Sequence, residues 1–117
     1  MKKVTMKKLL MFVIATLVSS LTLASPVWID VRSAQEYAQD HISGDKQIPY
    51  EHIVPEVEKL FPDKDTEIHL YCRSGRRAGI AMSKLKAAGY HNVSNAGGIG
   101  DARKSRALVQ ESCSPKC

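Results

Sequence analysis

Apolar residues along the chain fall into short runs that alternate between strand-like and helix-like spacing. Residues 27–31 form a β-branched and aromatic run, and Ser33 with Glu36 then makes a capping-box pattern at the expected start of a helix. Gly44 ends that helical region, and residues 48–49 indicate a brief strand or extended link. The pattern therefore predicts strand, helix and extended segment in the first part of the chain.

The same alternation continues towards the C-terminus. The predicted elements are a helix over 50–61 with Pro55 in its first turn, a turn at 62–65, a strand over 66–71, a helix over 78–88 closed by Gly89, and a strand over 91–96 that Gly97 and Gly98 break. Alternating strands and helices of these lengths predict an α/β fold, with a parallel or mostly parallel sheet and helices on both faces.

Composition places the chain among ordinary globular proteins. Hydrophobic residues make up 44% and charged residues 25% of 117 residues, values that exclude collagen-like, coiled-coil and wholly disordered chains. The length suits one compact domain, because single cores usually occupy about 100 to 150 residues. We expect residues 25–117 to form that single domain.

The N-terminal segment has the three parts of a secretory signal peptide. An apolar run over 9–24 follows a lysine-rich start and precedes small residues, with Thr22 and Ala24 placed for cleavage before Ser25. The alternative is a membrane anchor, but the run is shorter than the roughly 20 apolar residues that span a bilayer. We therefore predict a signal peptide at 1–24, export to a bacterial periplasm, which is an oxidising compartment, and no membrane anchor after cleavage.

Most of the basic excess lies in the N-terminal segment, before residue 25. The chain has 17 Lys and Arg against 12 Asp and Glu, a formal charge of +5, yet four lysines precede residue 9 and the first acidic residue is Asp30. The remaining balance is 13 − 12 = +1. The basic excess is thus no argument for a nucleic-acid partner, and we expect none.

The residues best suited to catalysis lie directly after the predicted strand over 66–71. Cys72 follows that strand directly, and Gly75 gives the next turn the freedom to converge its backbone N–H groups. The helix start and the cations Arg73, Arg76 and Arg77 add positive charge. These features favour a thiolate and attract an anion, so Cys72 is predicted to be a nucleophile in an anion-binding loop rather than a buried inert thiol.

The chain resembles the rhodanese (sulfurtransferase) domain family from about Val27 to Gly98. The segments that carry the resemblance are WIDVR at 28–32, EY at 36–37, HI-x-G at 41–44, IP at 48–49, YCRSGRRA at 71–78, Leu85 with GY at 89–90, and NV-x-x-AGG at 92–98. The resemblance is to the single-domain periplasmic type. It implies a doubly wound α/β fold and transfer of sulfane sulfur from a donor such as thiosulfate.

The resemblance also implies roles for individual residues. Cys72 matches the catalytic cysteine that holds a persulfide until a thiophilic acceptor, such as cyanide or a thiol, takes the sulfur. The loop residues Arg73, Ser74, Gly75, Arg76 and Arg77 match positions that bind the anion. Asp30 and Arg32 match a supporting pair, in which we expect Asp30 to receive an arginine from the loop and Arg32 to border the pocket. Neither a cofactor nor a metal is implied.

Loop length separates this family from related phosphatases. Those enzymes place an arginine after Cys-x5, but position 78 is Ala, and Arg77 gives Cys-x4. The smaller loop favours a sulfur atom over a phosphoryl group.

Two segments depart from the family pattern. Polar residues at 45–47 stand where a buried strand is expected, which predicts a short, exposed or shifted strand. Residues 99–117 form an atypical tail without the apolar pattern of a closing helix, a candidate for flexibility in which only Ala102, Ala107, Leu108 and Val109 could cover the sheet.

Cys113 and Cys117 lie in that tail. They could form a disulfide or a redox pair, or belong to a disordered exposed segment. A metal would need further ligands, and His41, His52, His69 and His91 are scattered without ligand spacing. The alternatives to sulfur transfer are therefore a low-turnover sulfur-carrier or anion-binding module and a thiol redox protein that uses Cys113 and Cys117.

Overall fold

The computed structural model describes residues 25–108, which form four strands and four α-helices. In chain order these are β1 (Val27–Asp30), α1 (Ala34–Gln39), β2 (Lys46–Gln47), a 3-10 turn (Tyr50–His52), α2 (Ile53–Leu60), β3 (Ile68–Cys72), α3 (Arg76–Ala87), β4 (Val93–Gly98) and α4 (Ile99–Ser105). The predicted strands and helices between 27 and 88 are confirmed, with small shifts at their ends.

All four strands belong to one parallel sheet in the order β2-β1-β3-β4. Asp30 is the register partner of Tyr71, and Cys72 that of Gly98, so the ends of β1, β3 and β4 lie side by side. The carboxyl ends of parallel strands share one edge of a sheet, where α/β proteins place their ligands. The predicted chemistry therefore lies at the expected edge.

Both faces of the sheet are covered, which confirms the predicted doubly wound α/β fold. Ile29, Leu70 and Cys72 belong to a large buried cluster with residues of α2 and α3. Tyr71 lies on the opposite face, where it packs with Ile42 and with Ala102 of α4. Successive residues of β3 thus serve opposite cores, as the period of two in a strand requires.

The second strand is short, as the polar segment at 45–47 predicts, and it lies at the edge of the sheet. It begins at Lys46, two residues before the apolar pair at 48–49 that indicates a strand in the sequence. Lys46 is exposed, and the Gln47 amide donates to the carbonyl oxygen of Arg32 at 2.7 Å. An edge position leaves one side of the strand in water, so polar residues cost little there.

Residues 99–105, which belong to the segment that lacks the apolar pattern of a closing helix, nevertheless form a helix, α4. Only Ala102 and Arg103 of this helix are buried, so apolar spacing gives no signal for it. Arg103 instead donates to the Asp40 carboxylate at 2.5 and 3.0 Å. The buried ion pair thus helps to attach α4 to the rest of the protein, a role that an apolar stripe has in most helices.

Two predicted features lie outside the described residues. These are the signal peptide at 1–24 and the cysteine pair Cys113 and Cys117. Within residues 25–108, no helix is long and apolar enough to cross a membrane.

Candidate active site

Cys72 is the last residue of β3 and is buried, with 1% of its surface exposed. The loop that follows turns back over the sulfur before α3 begins. The backbone N–H of Gly75 donates to Cys72 Sγ at 2.9 Å. The side chain is therefore held at the carboxyl edge of the sheet, inside a turn of backbone donors.

The turn depends on Gly75. Its φ of 98° is in the left-handed region, where a side chain is strained, and a Cβ there would meet the Gly97 Cα at 3.3 Å. The Gly75 carbonyl oxygen accepts a hydrogen bond from the Asn95 amide at 2.8 Å. Glycine at this position lets the loop lie against the end of β4.

The end of β4 also approaches the other side of the loop closely. A Cβ on Gly98 would lie 2.4 Å from the Arg73 carbonyl oxygen, so only glycine fits. The prediction that Gly97 and Gly98 break the strand is wrong, because β4 continues through both of them. The missing side chain of Gly98 leaves room for the cysteine loop, and that of Gly97 leaves room for the Asp101 carboxylate of α4.

Several backbone donors lower the pKa of Cys72. Burial of the sulfur by itself raises the pKa, but the backbone N–H groups of Ala78, Ser74, Gly75 and Arg77 around the sulfur together outweigh that effect, with Gly75 at hydrogen-bond distance. The net shift is downward from the ordinary value of a thiol. A larger thiolate fraction at neutral pH makes the residue a better nucleophile.

Arg77 connects the loop to α1. Its guanidinium donates to both Glu36 carboxylate oxygens, at 2.7 and 2.9 Å. The hydrogen bond to Glu36 is the main cause that raises the pKa of Arg77, and the neighbouring Cys72 sulfur adds to it. Arg77 thus remains a fixed cation beside the sulfur.

Three other predicted loop residues differ from Arg77 in their surroundings. Arg73, Ser74 and Arg76 are exposed. No side-chain ion pair holds Arg73 or Arg76 within the described part of the chain. Their charges face the solvent from which an anionic ligand would approach.

The expected partner of Asp30 is wrong. Asp30 receives no arginine from the loop: its carboxylate accepts hydrogen bonds from Arg32, with Nε at 2.9 Å and Nη2 at 2.8 Å. Both residues are buried, and Arg32 also donates to the Asp40 carbonyl oxygen at 2.6 Å. Positions two apart at a strand end point to the same side, so the nearer arginine takes the carboxylate.

Two residues that hold the loop have no such role predicted from the sequence. Glu36 belongs to the predicted capping box, which is present, and to the EY segment of the family resemblance, but neither pattern predicts its hydrogen bonds to Arg77. Asn95 carries no sequence signal, yet its side chain also accepts a hydrogen bond from the Gly97 N–H at 2.8 Å. Only the fold brings either residue to the loop.

His69 has ordinary hydrogen-bonding and stacking partners. His69 lies 2.7 Å from the Ser94 hydroxyl and stacks on Trp28, with ring centroids 4.5 Å apart. In the stretch from Ser25 to Leu108, no three His, Cys, Asp or Glu side chains form a group that could hold a metal ion.

Comparison with known proteins gives one consistent family. The rhodanese-like domain family matches residues 15–101. Thiosulfate sulfurtransferase PspE of Escherichia coli is 38% identical over 78 residues, which are 67% of this chain and 75% of that protein. The putative sulfur carrier protein YrkF of Bacillus subtilis is 34% identical over 67 residues, 57% of this chain and 35% of that protein.

Similarity extends to solved structures. A rhodanese with anions from E. coli superimposes with a TM-score of 0.67 at 34% identity, covering 76% of this chain and all of that one. The rhodanese-like domain of an Anabaena protein superimposes with a TM-score of 0.65 at 26% identity, over 74% of this chain and 99% of that domain.

Proposed function

Because the chain belongs to the rhodanese family, whose named relatives transfer or carry sulfur, we propose that it moves sulfane sulfur from thiosulfate to a thiophilic acceptor through a persulfide on Cys72. The observation that carries the proposal is the geometry at Cys72. A buried thiol with a lowered pKa sits inside converging N–H groups, one of them 2.9 Å from the sulfur. Such a thiol is suited to nucleophilic attack and to holding an anion.

In the first step, the Cys72 thiolate attacks the outer sulfur of thiosulfate. A new sulfur–sulfur bond forms, the bond inside thiosulfate breaks, and sulfite leaves with the electron pair. Arg77 lies next to the cysteine and supplies a cation for the sulfonate end of the donor. The exposed cations of Arg73 and Arg76 steer the dianion towards the loop.

In the second step, the acceptor attacks the outer sulfur of the persulfide. The bond to Cys72 breaks, its electron pair returns to the cysteine as a thiolate, and the acceptor leaves with the sulfur. Cyanide would leave as thiocyanate and a thiol as a persulfide. The N–H groups of Ser74, Gly75, Arg77 and Ala78 favour the anionic forms of Cys72 on both sides of this step. The two half-reactions share one covalent intermediate.

Export is a separate part of the proposal. The lysine-led apolar segment at 1–24 would direct the chain to the periplasm and leave a mature protein that starts at Ser25. Expressing the full chain in a bacterium and sequencing the N-terminus of the periplasmic product tests this. A product that keeps residues 1–24, or remains in the cytoplasm, would contradict it.

Steady-state kinetics test the sulfur transfer. With thiosulfate and cyanide varied together, thiocyanate formation should give the parallel double-reciprocal lines of a ping-pong reaction. Cys72→Ser should reduce the rate to the uncatalysed background. The double variant Cys113→Ser/Cys117→Ser is the matched control and should keep the full rate. Loss of activity in the control, with Cys72→Ser active, would instead support the thiol redox alternative.

A sulfur-carrier role is the second candidate, because one similar protein is named as a putative sulfur carrier. It shares the first half-reaction and differs in the second. A carrier would form the Cys72 persulfide stoichiometrically but release little thiocyanate or thiol persulfide over many minutes. Multiple turnovers with cyanide distinguish the enzyme from the carrier.

A further inference from the structure

Asn95 is an exposed residue of β4 on the same face of the sheet as Cys72. Val93, two residues earlier in the strand, belongs to the buried cluster that contains Cys72, and side chains two positions apart in a strand point to one face. The register partner of Asn95 in β3 is Leu70, which belongs to the same cluster. The side chain therefore lies on the side of the sheet where the sulfur is buried.

The orientation of the Asn95 amide follows from its two partners. Its oxygen accepts a hydrogen bond from the Gly97 N–H at 2.8 Å, and its nitrogen donates to the Gly75 carbonyl oxygen at 2.8 Å. A backbone N–H can only donate and a carbonyl oxygen can only accept, so the amide fits in one orientation. Asn95 thus connects the end of β4 to the cysteine loop.

The Gly75 carbonyl oxygen is the point at which the loop becomes a helix. Gly75 is the N-cap of α3, and its carbonyl oxygen also accepts a hydrogen bond from the Gly79 N–H at 2.9 Å. A Cβ on Gly79 would lie 3.4 Å from the Asn95 amide nitrogen, so glycine at this position leaves the amide a free approach. Asn95 therefore holds the N-terminus of α3 from outside the helix.

That end of α3 supplies donors to the sulfur. The Gly75 N–H lies 2.9 Å from Cys72 Sγ. Gly75, Arg77 and Ala78 are among the residues whose backbone N–H groups lower the pKa of the thiol. Glycine restricts the backbone least of all residues, so the hydrogen bond from β4 restrains Gly75 where a side chain of its own cannot.

We propose that Asn95 is a positioning residue for the reaction at Cys72. Its hydrogen bond to the Gly75 carbonyl oxygen keeps the N–H groups of the loop and of α3 directed at the sulfur, in the thiolate that attacks the donor and in the persulfide that follows. Asn95 is not itself one of the groups that donate to the sulfur, so it acts through the backbone. This inference rests on the proposed function and adds a residue that sets the rate of its first step.

Asn95→Ala tests the inference, because it removes the amide and changes no charge. The charged groups near the sulfur stay as they are, namely the exposed cations of Arg73 and Arg76 and the ion pair of Arg77 with Glu36. A changed reactivity of the cysteine would therefore come from its backbone donors.

Two measurements in the Cys113→Ser/Cys117→Ser background report Cys72 alone. Mass spectrometry follows the uptake of sulfur from thiosulfate, and alkylation by iodoacetamide follows the thiolate as a function of pH. Sulfur uptake at pH 7 should slow about two- to tenfold, as expected when about one hydrogen bond to the loop is lost. The midpoint of the alkylation curve should move to higher pH. A residue with only a structural role would lower the temperature of unfolding and leave that midpoint unchanged.

Asn92→Ala is the matched control. Asn92 is exposed directly before β4, and its side chain forms no hydrogen bond within residues 25–108. The substitution should change neither sulfur uptake nor the alkylation curve.

Asn95→Asp gives a second test if the alanine variant harms folding. Its carboxylate still accepts from the Gly97 N–H but cannot donate to the Gly75 carbonyl oxygen, and high salt screens the added charge. An unchanged alkylation midpoint in both variants would overturn the inference while the proposed function stands. A wild-type protein that takes up no sulfur would overturn the proposed function, and the alkylation curves would still show whether Asn95 positions the donors.

Discussion

Glu36 in the first turn of α1 binds Arg77, in the first turn of α3 directly after the cysteine loop, through two hydrogen bonds, although the residues are 41 positions apart. The pair joins the segment after β1 to the segment after β3. It fixes one cation beside Cys72, and the Ser33 cap fixes Glu36 in turn. The loop is therefore supported from outside as well as by its own backbone.

Glu36→Gln should destabilise the protein in a pH-dependent way. The hydrogen bond from Arg77 is the main cause that lowers the pKa of Glu36 from 4.5 to about 2. A depressed carboxyl pKa stabilises the fold above the unfolded value and loses that effect as pH falls through the folded value. We expect a loss of about 1 kcal/mol of unfolding free energy at pH 7, which shrinks between pH 5 and pH 2.

Urea unfolding of both proteins across that pH range measures the effect. Glu51→Gln is the control, since Glu51 is exposed and has no ion pair among the described residues. A loss that does not depend on pH would contradict the role of the ionised carboxylate.

Gly75→Ala should damage both stability and the loop. The methyl group would sit at a φ of 98° and 3.3 Å from the Gly97 Cα, so we expect a cost of about 1 to 3 kcal/mol. Sulfur transfer should fall with it, because the displaced N–H no longer reaches Cys72. Gly100→Ala is the matched control: it lies in α4 with free space around it and should gain up to about 1 kcal/mol. Thermal unfolding of the two variants compares them, and equal effects would refute the argument.

The thiol of Cys72 should ionise below its ordinary pKa. Backbone hydrogen bonds overcome the opposing effect of burial, so the folded protein holds the thiolate more readily than the unfolded chain. Ultraviolet thiolate absorbance against pH, in the Cys113→Ser/Cys117→Ser background, reports Cys72 alone. The curve should shift to higher pH when the protein is unfolded in urea. If the midpoint of the curve for the folded protein lay at the same pH as in urea, or at a higher pH, the result would contradict the role of the backbone donors.

Asp45→Ala should lower the free energy of unfolding and leave the rate of sulfur transfer nearly unchanged. Its carboxylate accepts hydrogen bonds from the Tyr71 hydroxyl at 2.5 Å and from Arg106 at 2.7 Å. Burial, followed by Asp45, raises the pKa of Tyr71 far above its usual range, so the hydroxyl stays a donor. Removing the acceptor leaves a buried hydroxyl unpaired, at a cost of about 2 to 3 kcal/mol.

Chemical denaturation measures that loss, with Lys46→Ala as the neighbouring exposed control. Thiocyanate formation in buffer should stay within about twofold of wild type, because the hydrogen bonds of the Asp45 carboxylate go to Tyr71 and Arg106 and not to residues 73–77. A large loss of activity with unchanged stability would reverse this assignment.

The sequence predicts those parts of the fold that apolar spacing controls. β3 is a short run that is almost entirely buried, and α3 buries Ala78, Ala81 and Leu85 at helical spacing; their place around Cys72 follows from these patterns and from the strand–loop–helix order. Cys72 and Gly75 can be identified from the sequence because the features that mark them, the strand before and the helix after, are close to them in the chain.

Elements that depend on distant polar partners could not be predicted in this way. α4 is held in part by Arg103 with Asp40, 63 residues apart, and β4 runs through Gly98, where the Arg73 carbonyl oxygen leaves no room for a Cβ. Likewise, nothing local decides that Arg77 binds Glu36 while Asp30 binds Arg32. Such pairings arise from tertiary geometry, which can override local propensity.

The central claim is the persulfide on Cys72, and mass spectrometry of the thiosulfate-treated protein tests it most directly. The account predicts that the peptide containing Cys72 gains the mass of one sulfur atom, that cyanide removes it, and that Cys72→Ala gains nothing. An unmodified Cys72 peptide, or the same mass gain in Cys72→Ala, would contradict it.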